Sequence, residues 1–329
     1  MRTLVTGIAG FVGRHLARSF AARPGEELFG ADHLPPEAVR GDEGLAPYLG
    51  DYRVLDVTDA AQVLAWVRGL RPDRLVHLAA QASGADSLIE PAMTYRVNAV
   101  GALNVLEAVR TEAPETVVLL IGSADIYGSG APGQKLAEDA PISPTNPYAL
   151  SKAAQDALGD LYARTYGLNV VRTRTFSHTG PGQRPRFALA GFADQLARID
   201  AGEIPPEIRV GNLDGVRDYG DVRDVVNAYS LLLEQGAAGE AYNVCSGAGC
   251  RLRDLLDKLC AIAGVQPRVV QDPLRVRARD ADCLVGDPAK LRARTGWAPE
   301  IPIERTLEDL YRDARERVRR EIESEGRQR

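Results

Sequence analysis

From Thr3 to about Thr175 short apolar runs alternate with longer amphipathic stretches. Residues 3–6, 27–31, 53–55, 74–78, 116–121 and 169–174 have the length and apolar density of buried strands. Residues 14–22, 60–70, 94–110 and 147–166 instead repeat apolar side chains at helical spacing. Strand and helix in regular alternation predict an α/β fold, a doubly wound parallel sheet of Rossmann type with helices on both faces.

Beyond Phe176 the texture changes to Gly- and Pro-rich turns, short strands and helices near 186–201, 222–233, 251–263 and 303–322. This pattern predicts a smaller C-terminal α/β lobe. Residues 1–175, with about 218–245, are expected to form the nucleotide-binding domain, and 176–217 with 246–329 the substrate lobe. The last residues, 323–329, carry no apolar side chain and are expected to fray. No internal repeat is found.

Composition narrows the function. A chain of 329 residues, 45% hydrophobic and 26% charged, can bury a sizeable core. Its formal net charge of -5 leaves no excess of cations for a nucleic-acid backbone. The longest apolar runs, such as 117–121, fall far short of the roughly 20 residues that cross a bilayer. Cys245, Cys250, Cys260 and Cys283 lack C-x-x-C spacing and have no interleaved histidine, which argues against a metal site and agrees with a reducing compartment. Met1 leads directly into a strand, without a leader pattern, so a cytoplasmic location is expected.

Candidate chemistry begins at the first strand, which runs into Gly7-x-x-Gly10-x-x-Gly13 and then a helix. Glycines at a strand-to-helix turn let the backbone of Phe11 and Val12 approach a pyrophosphate, and the helix N-terminus attracts its charge. Asp32 ends the second strand 19 residues after Gly13, where a carboxylate accepts ribose hydroxyls and repels a 2′-phosphate. NAD(H) is therefore favoured, with NADP(H) left open because His33 and Arg40 stand nearby. Asp56 and Val57, after the third strand, are placed to bracket the adenine. Leu78, Ala79, Ala80 and Gln81, after the fourth, would floor the nicotinamide pocket.

The fifth strand ends near Ser123, and Tyr148-x-x-x-Lys152 follows 25 residues later. Ligands of an open α/β sheet lie outside the carboxyl ends of its strands, so Ser123 should face the crevice of the glycine loop. Tyr148 and Lys152, at i and i+4, share one helix face. An ammonium beside a phenol lowers the phenol pKa from about 10 and makes it a usable acid or base.

With these residues the chain resembles the extended short-chain dehydrogenase/reductase family: the three glycines, Ser123, Tyr148, Lys152 and the strand segment 172–176 carry the likeness over nearly the whole length. The resemblance implies an NAD(P)-dependent enzyme acting on a nucleotide-linked sugar. Ser123 and Tyr148 would meet the sugar oxygen, and Lys152 would also hold the nicotinamide ribose. Segments 176–183, 210–220, 242–247 and 272–297 are similar to those of the GDP-mannose dehydratase and reductase group within that family. By that likeness Phe176 and His178 adjoin the cofactor, and Ser87, Ser123, Ser177, Arg186 and Asn212 the substrate. Arg217 and Arg277 would take the pyrophosphate of GDP and Asp280 its ribose. Planar guanidinium groups suit bidentate phosphate contacts. Ser177 stands where related proteins usually carry Asn. The helical stretches 94–110 and 147–166 correspond to those that pair in related homodimers, which implies a homodimer here.

Reductase and dehydratase differ at the residues after Ser123. A 4,6-dehydratase must remove the C5 proton and protonate the leaving C6 hydroxyl, which requires acid and base groups besides the tyrosine. Ala124 can transfer no proton, and Asp125 is a methylene shorter than the glutamate typical of the dehydratases. The expected activity is reduction of the C4 keto group of a GDP-4-keto-6-deoxy-hexose by NAD(P)H. A GDP-mannose 4,6-dehydratase is the alternative, with a nucleotide-sugar epimerase or decarboxylase, or a non-catalytic binder, behind it. Asp125 is a candidate base in the dehydratase reading and a turn cap in the other.

Overall fold

The computed structural model describes residues 1–37, 45, 50–275 and 282–326. Seven parallel strands form the main sheet: β1 (Arg2–Thr6), β2 (Glu27–Asp32), β3 (Asp51–Val54), β4 (Arg74–His77), β5 (Val117–Ser123), β6 (Val170–Thr175) and, from far along the chain, β10 (Ala241–Val244). Their order is β10-β6-β5-β4-β1-β2-β3. The order reverses at β1, so the loops after β1 and β4 open on a common crevice.

Because successive strand residues point to opposite faces, each strand feeds two cores. Val5, Val76, Leu119, Ile121 and Val171 pack with Leu16, Phe20, Val226 and Tyr229, from the helices Phe11–Ala21 and Val222–Gln235. Leu4, Leu75, Val118, Leu120 and Val170 pack on the other side with Val63, Val67, Leu106, Val109 and Tyr162, from the helices Ala60–Leu70, Gly101–Glu112 and Pro147–Tyr166.

A second lobe is built on β9 (Val216–Asp221), flanked by β11 (Gly249–Arg251), β13 (Cys283–Leu284) and β7 (Ser177–Thr179). β8 (Glu207–Val210) pairs separately with β12 (Arg268–Gln271). Its core joins Leu189, Phe192 and Leu196 to Leu255, Leu259, Leu307 and Leu310 from the helices Ala188–Asp200, Leu252–Ala263 and Ile303–Gly326.

Two expectations are corrected. Residues 94–110 are not one helix: Pro91–Tyr95 leads into a π-helical turn at Arg96–Val100 and then the helix Gly101–Glu112. The inserted residue turns Asn98 inward, where it is fully buried. The fifth strand also runs two residues further than expected, to Ser123, so the serine terminates the strand itself.

Candidate active site

The glycine loop is shaped by what a side chain would strike. Gly7 has φ 73°, and a Cβ there would lie 2.6 Å from the Ala79 nitrogen, so this turn presses on the loop after β4. A Cβ on Gly13 would lie 2.4 Å from the Ile8 carbonyl oxygen, which brings the first helix down onto the turn. Gly10 is the N-cap, and the first helical turn holds no acidic residue, so nothing there opposes an anion. The turn and the helix N-terminus it opens fit a dinucleotide.

Asp32 is buried and tied to this loop: its carboxylate accepts the Ala9 amide at 3.1 Å and the Leu34 amide at 3.3 Å, and His33 Nδ1 lies 2.9 Å away. Asp56 is exposed and caps its own turn through the Thr58 amide, while Val57 is buried against Gly101. Leu78, Ala79, Ala80 and Gln81 are half-buried along the crevice. His178 stacks on Phe11 with centroids 6.1 Å apart, which joins the second lobe to the glycine loop. Phe176, by contrast, is buried in a small core with Tyr127, Leu136 and Cys245, so its ring faces packing and not the crevice. Arg40 lies outside the described residues.

Ser123 and Tyr148 come together. The helix Pro147–Tyr166 starts with Pro147 in its first turn and is capped by Asn146, whose side chain accepts the Ala149 amide at 2.8 Å. That start sets the half-buried Tyr148 beside β5, with its phenol close enough to the Ser123 hydroxyl to be influenced by it. Burial, and then the charge of Asp125, hold the phenol well above its ordinary range, while Ser123 draws it part of the way back. Asp125 thus faces the phenol electrostatically, and its amide is also capped by Ser123 Oγ at 3.2 Å.

Lys152 corrects the expected chemistry. Its ammonium does not depress the phenol, because it is directed to the sheet, where it donates to the Ile121 carbonyl at 2.9 Å and to Gln155 Oε1 at 2.8 Å. Burial pushes the lysine itself down to about 7. Burial thus favours the neutral form of the Tyr148 phenol.

Three buried residues around this pair escaped the reading of the sequence. Asn98, in the π-helical turn, donates to the Gln81 carbonyl at 3.1 Å and to Ser151 Oγ at 2.9 Å, and accepts the Gln81 amide at 2.8 Å, so it fixes the loop after β4 against the Tyr148 helix. An asparagine inside an otherwise apolar-periodic stretch was its one signal. Gln155 closes on Lys152. His77 pairs with Thr6 Oγ1 at 2.8 Å, and burial followed by the Lys152 charge pushes it down to about 3, so it is neutral.

The candidate substrate residues are more scattered. Ser87 is fully buried with its hydroxyl on the Gly84 carbonyl at 2.7 Å. Ser177 is half-buried at the start of β7. Arg186 pairs with Asp86 at 3.2 Å across the two lobes, and Asn212 caps its own turn through the Asp214 amide. Arg217, half-buried on β9, donates to the Val216 carbonyl. Next to it, buried Asp218 collects the amides of Ser246, Gly247 and Gly286 and the Ser246 hydroxyl, which anchors the second lobe to the end of β10. Arg277 and Asp280 lie outside the described residues. Among the described residues no His, Cys, Asp and Glu cluster could hold a metal ion, the four cysteines are free, and no helix is long and apolar enough to cross a membrane.

A parallel sheet of this order, with a glycine loop and a Ser, Tyr and Lys set at its carboxyl edge, defines an extended short-chain dehydrogenase/reductase. The family model described as GDP-mannose 4,6 dehydratase matches residues 4–310, and the chain belongs to that family. It is 37% identical over 321 residues to the GDP-6-deoxy-D-mannose reductase of Pseudomonas aeruginosa, covering 97% of this chain and 99% of that one. The structure of RMD from Pseudomonas aeruginosa complexed with NADPH superposes with TM-score 0.82 at 34% identity, over 96% of this chain and 99% of the other. The Thermus thermophilus UDP-glucose 4-epimerase in complex with NAD gives TM-score 0.84 at 31% identity, with 96% and 99% covered.

Proposed function

We propose that the chain reduces the C4 carbonyl of a GDP-4-keto-6-deoxy-hexose, giving a GDP-6-deoxy-hexose of the GDP-6-deoxy-D-mannose (GDP-rhamnose) type. The observation that carries this reading is the convergence of the Tyr148 phenol and the Ser123 hydroxyl at the carboxyl edge of the sheet. A nicotinamide cofactor, when bound, supplies the hydride. Gly7, Gly10 and Gly13 with the amides of Phe11 and Val12 would hold its phosphates, and Asp32 its adenosine ribose. Ser123 orients the carbonyl oxygen and Tyr148 donates the proton to it. Lys152, one turn behind Tyr148, is the candidate cation for the nicotinamide ribose. Arg217 is the described candidate for the substrate pyrophosphate.

Ala124 supports reduction over elimination, since a methyl beside Ser123 moves no proton, and the 37% identity to a reductase over 97% of the chain supports the same choice. Given GDP-4-keto-6-deoxy-mannose, the protein is expected to consume reduced nicotinamide. Given GDP-mannose with oxidised cofactor, it should leave the sugar unchanged. Release of a 4-keto sugar in the second assay, with none consumed in the first, would assign the dehydratase instead. Asp32 favours NAD(H). His33 beside it favours the second reading, NADP(H), and the ratio of kcat/KM for the two cofactors decides between them.

We also infer a homodimer in the cytoplasm. Val100, Leu150 and Leu161 are 42, 48 and 47% exposed along the stretches expected to pair, an apolar strip that a second copy would cover. Light scattering is expected to give twice the chain mass, and the double change Leu150→Asp with Leu161→Asp to give the single chain. A monomeric parent protein would overturn it. Four free cysteines agree with a reducing compartment.

A further inference from the structure

We propose that Gln155 is a positioning residue: together with the Ile121 carbonyl it holds the Lys152 ammonium at the carboxyl edge of the sheet and keeps it charged. The two side chains lie three residues apart on one helix and so meet on one face. Gln155 is fully buried and Lys152 is 4% exposed. Three contacts close a triangle: Lys152 Nζ to Ile121 O at 2.9 Å, Lys152 Nζ to Gln155 Oε1 at 2.8 Å, and Gln155 Nε2 to Ile121 O at 2.9 Å.

The chemistry of the three groups leaves one arrangement. An ammonium only donates and a carbonyl only accepts, so the amide oxygen must face the lysine and the amide nitrogen the strand. Of the twenty side chains, a neutral amide of this length is suited to serve both neighbours at once. A carboxylate would serve the lysine and repel the carbonyl; an aliphatic chain would serve neither.

The charged and titratable groups around the ammonium make that role matter. From β4 comes His77, which is neutral. From its own helix comes Tyr148, also neutral, with Asp125 beyond it beside the phenol. Asp156, the next residue, is turned away onto Arg172 and Arg174. The hydrogen bonds shown for the ammonium thus run to two neutral acceptors, and burial already draws it down to about 7. Removal of one acceptor should therefore discharge it at a lower pH, by about one unit.

The catalytic half of the inference rests on the proposed reduction; the titration half does not. The chain has four lysines, Lys135, Lys152, Lys258 and Lys290, so the Lys152 side-chain carbon signal can be followed by NMR in cofactor-free protein and assigned with Lys152→Met. Relative to wild type, Gln155→Leu is expected to lower its titration midpoint by about one pH unit and Gln155→Glu to raise it. With substrate, the alkaline limb of kcat should move in the same two directions, because the positive charge is lost as pH rises through that midpoint. A Lys152 midpoint unchanged in both variants overturns the proposal, as does a uniform drop in kcat without movement of the limb. Should Gln155→Leu fail to fold, the downward shift in Gln155→Met, a chain of like length without the amide, decides in its place. A wild-type protein inactive on the ketone, with the midpoints shifting as described, would reject the substrate and leave the role of Gln155 standing.

Discussion

Tyr148→Phe is expected to lower kcat on the keto sugar by about 10²–10⁴-fold, the usual worth of a positioned general acid. The ring remains, so helix packing and cofactor affinity should stay near wild type, and KM should change little, since the lost proton transfer belongs to the transition state. The reason lies in the burial of the phenol and in Asp125, which together hold its proton at neutral pH. A reductase needs that proton on the phenol at the moment the C4 oxygen takes negative charge. Ionisation of Tyr148 should therefore not limit the rate at neutral pH. Steady-state kinetics of the variant, with cofactor binding measured separately, checks both parts. A kcat within a factor of three of wild type would remove Tyr148 from the chemistry.

Asp156→Asn is expected to destabilise the protein by about 3–5 kcal/mol, the cost of leaving a buried charge without its counterion. The Asp156 carboxylate, 4% exposed, accepts Arg172 Nη1 at 2.9 Å, Arg174 Nη2 at 3.0 Å and Arg174 Nε at 3.3 Å. Asp160 shares Arg172 at 3.1 Å, but for Arg174 the remaining partners shown are Tyr127 OH at 3.0 Å and the Glu138 carbonyl at 2.7 Å. These cannot replace a carboxylate. The change is a large part of the roughly 5–15 kcal/mol that holds a folded domain together, so urea unfolding should show it as a clear fall in midpoint. Asp156 touches neither Ser123 nor Tyr148 in the bonds described, so the folded variant should keep kcat within a few-fold of wild type. An unchanged midpoint would mean that the two guanidinium groups find water or other acceptors.

The sheet and its crevice were legible because they depend on local signals. Alternation of apolar runs and amphipathic stretches located β1 to β6, and the spacing of Gly7, Gly10 and Gly13 marked the turn that Gly13 closes against Ile8. The seventh strand, Ala241–Val244, was not among the six strands expected, because four residues with Asn243 in the middle make no periodic signal; it is defined by pairing with β6 across the chain. The π-helical turn was hidden for a related reason, since one inserted residue shifts helical spacing too little to be read from side-chain character alone.

The site was legible in its members more than in its electrostatics. Helical spacing places Tyr148 and Lys152 on one face, and from that an ammonium next to a phenol follows. Which acceptor captures the ammonium is decided instead by the depth of the Ile121 carbonyl and by the residue three positions on, Gln155. Both are matters of tertiary packing. The same holds for Phe176, whose motif suggested the cofactor and whose ring went into the core between the lobes. Asp156 gave no functional signal because a lone acidic residue on a helix reads as solvent-facing until Arg172 and Arg174 are seen to point at it from β6.

The central claim is that this chain delivers hydride to C4 of a bound ketone while Tyr148 protonates the oxygen. Reduced nicotinamide carrying deuterium at its donating carbon, incubated with the protein and GDP-4-keto-6-deoxy-mannose, tests it most directly. The account predicts one deuterium at C4 of the product sugar for each cofactor oxidised. A sugar recovered without label, or labelled at C6, would contradict it.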